Sequence, residues 1–157
     1  MKIYFANALF SAADFDYNAK VVAQLRQAIH GIDIYLPQEN AAINDKNAYA
    51  SSEMIAQADT DELVASDLVI AVLDCPKIDV GVASEIGVAY GRQIPMIGLY
   101  TDSRQQGATN PQKLAALQEI AENQFHYLNL YTTGLIKQNG TIVNNLDALI
   151  EAVQAHA

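Results

Sequence analysis

The sequence predicts an α/β fold: a doubly wound, five-stranded parallel sheet with helices on both faces, in one domain over residues 1–157. Three observations predict it. Strand-like and helix-like stretches alternate from end to end. The segment "LVIAVLD" at 68–74 is a continuous apolar run, of the kind buried on both faces of a parallel sheet. The chain is 51% hydrophobic and 17% charged over 157 residues, enough to close one core and without the composition of disorder.

The elements follow in order. "KIYFA" at 2–6 is a short strand. "SAAD" at 11–14 places a serine cap with an acid three residues on, so a helix opens there, with Phe10 and Phe15 at staple positions. That helix carries Val21, Val22, Leu25 and Ile29 at helical spacing and stops near Gly31, before a second strand, "IDIYLP", at 32–37. The polar stretch "QENAAINDKN" at 38–47 has no strong periodicity and reads as a loop long enough to act as a lid. A helix then runs from about Ala48 to Ser66 and leads into the 68–74 strand.

"DVGVASEIGVAYG" at 79–91 reads as the next helix and "IPMIGLY" at 94–100 as the next strand. "NPQKLAALQEIAEN" at 110–123 opens with an asparagine cap and a proline in the first turn, which predicts a helix. "HYLNLY" at 126–131 is the expected fifth strand, "KQNGT" at 137–141 a turn, and "NLDALIEAVQA" an amphipathic closing helix. This succession is that of flavodoxin-like and Rossmann-like sheets, which bind ligands at the carboxyl ends of the strands, where the strand order reverses.

Composition narrows the partners. A net charge of −9 argues against a nucleic-acid polymer, whose phosphates need clustered Lys and Arg. The chain starts directly in strand-like sequence and no run approaches membrane-spanning length, so a cytoplasmic protein with no membrane partner is expected. The one cysteine, Cys75, has no histidine at a ligand or catalytic spacing and is expected as a buried strand-end residue. No metal cluster appears, and no cofactor is expected.

Three acids stand out near the expected binding zone. Asp59 lies four residues from both Ile55 and Leu63, so a helix projects it from an apolar stripe; the alternative is a solvated face shared with Thr60, Asp61 and Glu62. Asp79 precedes Val80-Gly81 where a strand gives way to a helix, a capping position. Glu85 sits among Gly81, Ala83, Gly87 and Ala89, which leave room for a ligand to approach, and a helix start would favour it as an anion. Its alternative is a surface glutamate, with Gly87 and Gly91 serving tight helix-to-sheet packing. Tyr4, on the first strand, is placed to orient a carboxylate or simply to fill the core.

These residues resemble the nucleoside 2-deoxyribosyltransferases and their relatives that hydrolyse deoxynucleotide N-glycosidic bonds. The resemblance rests on "IYFANALF", "ADTDELVASDLVIAVLD" and "DVGVASEIGVAYG", and covers roughly residues 2–114. The family pattern is a tyrosine on the first strand, an aspartate eight residues before the aspartate that opens the third strand, then D-x-G-x-x-x-E-x-G. Tyr4, Asp59 with Asp67, Asp79, Gly81, Glu85 and Gly87 satisfy it.

The resemblance implies that Glu85 attacks the anomeric carbon, that Tyr4 orients it, and that Asp59 protonates the departing base. It implies that Asp79 holds sugar hydroxyls beside Gly81, and that Asn110 is contributed by a neighbouring subunit of a homo-oligomer. Its substrates would be a deoxyribonucleoside and a free nucleobase. Gln38, Glu39 and Asn40 are placed to read a base edge. The chain ends "EAVQAHA", without the aromatic tail common in the family's transferases, so no C-terminal site residue is carried over. Two alternatives stand beside this reading. One is a deoxynucleoside monophosphate glycosidase, disfavoured because no basic residue lies between Lys2 and Lys20; the other is a non-catalytic nucleoside or nucleotide sensor.

Overall fold

The computed structural model describes every residue except 46, 48, 75–76, 106–108, 117 and 122–126; Cys75 and His126 therefore lie outside the described residues. The chain runs β1 (Lys2–Ala6), α1 (Ala12–Ala28), β2 (Asp33–Tyr35), α2 (Ala41–Asn44), α3 (Ser52–Val64), β3 (Leu68–Val72) and α4 (Val80–Gly91). It continues through β4 (Met96–Leu99), α5 (Pro111–Ala116), α6 (Leu130–Gln138), β5 (Gly140–Val143) and α7 (Leu146–Gln154).

All strand pairs are parallel and the sheet order is β2-β1-β3-β4-β5. The chain winds outward from β1 to β2, then returns to β3 on the other side of β1. The β1/β3 boundary is thus the topological switch point, where diverging connections leave a crevice. Alternation along the strands divides the core in two. Ile3, Phe5, Leu68, Ile70 and Val72 pack with α1 and α7 residues such as Leu25 and Leu149. Tyr4, Ala6, Val69, Ala71 and Leu73 face the opposite layer, with Leu63 of α3, Ile86 of α4 and Ile136 of α6. β3 is buried along its whole length, as its unbroken apolar sequence requires.

Caps set the helix starts. Ser11 and Asp14 form a reciprocal capping box at α1, while Phe10 and Phe15 stay exposed. α3 begins at Ser52, later than the expected start near Ala48, because the Ser51 side chain accepts the Met54 amide. The stretch after β2 is not a structureless loop. It makes a 3-10 turn at Pro37–Glu39 and the short α2, and Arg26 of α1 ties it down through an ion pair with Glu39 at 2.8 Å.

The fifth strand falls elsewhere than the sequence predicts. Residues 130–131 of "HYLNLY" begin α6, and β5 occupies Gly140–Val143, where a turn was expected. The aromatic and β-branched composition of "YTTGLI" suggests a strand, but Asn129 caps the Thr132 amide and the Thr133 hydroxyl donates back to the Asn129 and Leu130 carbonyls. Gly140 is a strand glycine: a Cβ there would lie 1.8 Å from the Met96 carbonyl oxygen, so only glycine permits this approach to β4. The predicted helix at 110–123 is described as helical over Pro111–Ala116. Among the described residues no helix is long and apolar enough to cross a membrane.

Candidate active site

The site begins with a strand pairing. Tyr4 of β1 and Tyr35 of β2 are register partners on one face of the sheet, and their rings stack with centroids 5.5 Å apart at 27°. Tyr4 lies mid-strand and is fully buried. Its hydroxyl donates to Glu85 Oε1 at 2.6 Å, across the switch point from β1 to α4. Burial first, and then the Glu85 carboxylate, push the Tyr4 phenol far above its ordinary range, so it remains a neutral donor.

α4 is placed by its cap. Asp79 Oδ1 accepts the Gly81 amide at 2.8 Å and the Val82 amide at 3.2 Å, which is the capping role the sequence suggests. A Cβ on Gly81 would stand 2.9 Å from that same oxygen, so Asp79 and Gly81 are one device: the glycine leaves space for the carboxylate that starts the helix. At Gly87 and Gly91 an added Cβ would meet nothing within 4 Å, so tight packing on the sheet is not what they supply.

Glu85 sits in the second turn of α4, beyond the free amides of the first. The expectation of an anion held by the helix start is therefore not met: desolvation by burial dominates and pushes Glu85 up to about 7. Asp59 and Asp79 add to the rise, and the Tyr4 hydrogen bond opposes it.

Asp59 projects inward from α3, on the same stripe as buried Leu63, and is half-buried. The Tyr35 hydroxyl donates to its Oδ1 at 3.0 Å. Burial raises the Asp59 carboxyl above its usual range, and the Tyr35 hydrogen bond pulls it back. Tyr35 itself is pushed up to about 12, by burial first. Sequence reading missed Tyr35. Its signal was present, because in-register parallel strands put "IY" of β1 beside "IY" of β2.

The remaining expected residues are more peripheral. Gln38 Oε1 accepts from Asn18, a buried asparagine that also binds Asn7, and Gln38 Nε2 donates to the Phe15 carbonyl. Asn40 Nδ2 donates to Tyr35 Oη, and its Oδ1 accepts the Ala42 amide. Each amide keeps a second N–H. Asn110 caps α5 by accepting the Gln112 and Lys113 amides and is exposed. Its described hydrogen bonds are those of the cap. At the ends of β3 and β4, Asp74 accepts from the Thr101 hydroxyl at 2.7 Å and locks the two strand exits together.

Among the described residues no group of three or more His, Cys, Asp or Glu gathers as a metal site. A cleft of about 590 Å³ lies at the other end of α4, lined by Tyr90, Arg92, Gln93 and Asn139. It contains none of the carboxylates, and the chemistry at the switch point marks the site better than cleft size does. Two carboxylates, each held by a phenol and differing in burial, can divide nucleophilic attack from proton donation.

The family model described as nucleoside 2-deoxyribosyltransferase matches residues 3–146. No curated protein matches the chain. A conserved protein from Enterococcus faecalis is 65% identical, with a TM-score of 0.93 over 99% of this chain and 98% of that one. The 2-deoxyribosyltransferase of Bacillus psychrosaccharolyticus shares the fold at 17% identity, with a TM-score of 0.67 over 96% of this chain and 90% of that one. A CMP N-glycosidase from Clostridium botulinum does so at 16% identity, with a TM-score of 0.53 over the full length of both.

Proposed function

The chain belongs to the nucleoside 2-deoxyribosyltransferase family, and we propose that it exchanges the base of a 2′-deoxyribonucleoside through a covalent deoxyribosyl-Glu85 intermediate. The observation that carries this reading is the 2.6 Å hydrogen bond from buried Tyr4 to Glu85 Oε1 at the switch point. It fixes one carboxylate oxygen and leaves Oε2 to attack.

Glu85 Oε2 bonds to the anomeric carbon as the bond to the base breaks. The electron pair goes to the base nitrogen, and Asp59 supplies its proton. Deoxyribose favours this path because no 2′-hydroxyl withdraws electrons from the developing cation. A second base attacks from the face the first one left, the ester bond breaks back to Glu85, and Asp59 recovers a proton. Two displacements retain configuration.

Burial raises both carboxyls, and what favours Glu85 as the nucleophile is the Oε2 left unbonded beside the Tyr4 hydrogen bond. Glu85, with its ordinary value raised to about 7, is a reactive anion just above neutrality. A base seated against Asp59 removes more water from a carboxyl already raised by burial, which favours its acid form. Asp79 and Gly81 lie where sugar hydroxyls would approach the start of α4, and the spare N–H groups of Gln38 and Asn40 suit acceptors on the base. The family resemblance has Asn110 supplied by a second chain, so the reading calls for a homo-oligomer with sites at subunit boundaries. No cofactor enters the chemistry, and the role is nucleoside salvage in the cytoplasm.

A second reading, hydrolysis of a nucleoside monophosphate, is suggested by the fold shared with the CMP N-glycosidase. The β1–α1 connection weighs against it: residues 7–11 carry no cation, and the first turns of α1 add Asp14 and Asp16, where a phosphate would need a positive charge. Incubation with deoxyinosine or thymidine, with and without adenine or cytosine, tests the choice by chromatography. Exchange predicts a new nucleoside only when the acceptor is present. Free base and deoxyribose alone would replace transfer with hydrolysis, and no turnover would leave a sensor.

A further inference from the structure

We infer that Tyr35 and Asn40 form a directional hydrogen-bond chain that fixes which oxygen of Asp59 carries the proton for the leaving base. The inference rests on the functional reading above and goes beyond it in naming two positioning residues and the atom they select.

The direction is set by the backbone. The Ala42 amide can only donate, and it donates to Asn40 Oδ1 at 3.2 Å. The Asn40 amide is thereby oriented, so its Nδ2 must face the other way, and it donates to Tyr35 Oη at 3.0 Å. With the acceptor side of the phenol oxygen occupied, the Tyr35 hydrogen lies on the remaining side, toward Asp59 Oδ1 at 3.0 Å. Oδ1 is thus an acceptor, and a proton on Asp59 resides on Oδ2. The stacking of Tyr35 on buried Tyr4 holds the ring that carries this relay. A wrongly placed proton would face the phenol instead of the base, and an acid in that tautomer gives no help to departure.

Other charges around the relay are accounted for. Glu62 of α3 faces Tyr35 and is held by Lys2 of β1 at 2.6 Å. Tyr4 and Glu85 lie on the stacked side, bonded to each other. Asp59 is the carboxylate that Tyr35 binds.

The test compares kcat on paired substrates that differ in their need for a proton. 2′-Deoxyguanosine is set against 7-methyl-2′-deoxyguanosine, whose base is already cationic and leaves neutral without a proton, and thymidine against 5-fluoro-2′-deoxyuridine, whose base is the better leaving group. Tyr35→Phe removes the donor, and Asn40→Asp keeps the Ala42 cap but offers the phenol an acceptor, turning its hydrogen away from Asp59. Both variants are expected to lose at least about tenfold in kcat on the proton-demanding member of each pair, and several-fold less on the other. The high-pH limb of Tyr35→Phe should move upward, because the removed hydrogen bond favours ionised Asp59. Equal losses on both members, or a change confined to KM, would overturn the relay and leave a packing or base-contact role. Unchanged kcat in a folded variant would overturn it outright. If the wild-type protein turns over neither pair, the functional reading fails first and the relay with it.

Discussion

Two tyrosine–carboxylate pairs stand side by side at the switch point, and they differ in depth. Tyr4 is fully buried and holds Glu85 at 2.6 Å; Tyr35 is half-buried and holds Asp59 at 3.0 Å. In both, burial raises the carboxyl and the phenol hydrogen bond lowers it; Glu85 is pushed up to about 7. The same module at two depths sets two carboxylates in different environments, to which the proposed function gives different roles.

The largest break in that comparison is removal of the deeper acid. Glu85→Gln keeps the shape and is expected to lower base exchange by roughly 10³-fold or more, measured as new nucleoside formed. The same variant should be more stable at pH 8. Glu85 has a folded value of about 7 against 4.5 for the free side chain, so its contribution is fully present below pH 4.5 and lost as pH rises through 7. Gln avoids that loss, a gain on the order of 1–3 kcal/mol above pH 7 that vanishes toward pH 4, read from denaturant midpoints.

The shallower acid comes next. Asp59→Asn is expected to cost about 10²–10⁴-fold in kcat. Its loss should be smallest on deoxynucleosides whose bases leave without a proton. Equal losses on all bases would end the division of roles.

Tyr4→Phe sharpens the comparison. Without the phenol donor Glu85 rises above about 7, so the ascending limb of the pH–rate profile should move upward. At pH 7 the expected loss is about fivefold, for a limb shifted by roughly one unit from about 7, and it should shrink as pH is raised. The smallest effect belongs to the cap. Asp79→Ala removes the acceptor for two amides and should lower stability by about 1 kcal/mol, seen in the thermal midpoint, and the proposed sugar-binding role adds an expected rise in KM.

Much of this was legible in sequence because the signals were local. The apolar run of β3, the Ser11 box and the Asp79-Val80-Gly81 start of α4 each specify their own structure over a few residues. The helical spacing of Asp59 with Leu63 pointed inward, as the structure has it, although Ile55, the other residue of that expected stripe, is exposed. What escaped reading was set by tertiary contact. Leu130 and Tyr131, expected at the end of a strand, open a helix through the Asn129 cap, and Gly140 entered a strand because Met96 needs its missing Cβ. Tyr35 became a site residue only when β2 paired in register with β1. The state of Glu85 was misjudged for a similar reason: sequence shows a nearby helix start, but not that the side chain sits one turn too far along to use it.

The most direct test of the account is mass analysis of the peptide containing Glu85 after brief incubation with a deoxynucleoside and no acceptor. The account predicts one added deoxyribosyl group on Glu85, discharged on addition of free base with formation of the new nucleoside. Base exchange without any adduct on Glu85, or full exchange by Glu85→Gln, would contradict it.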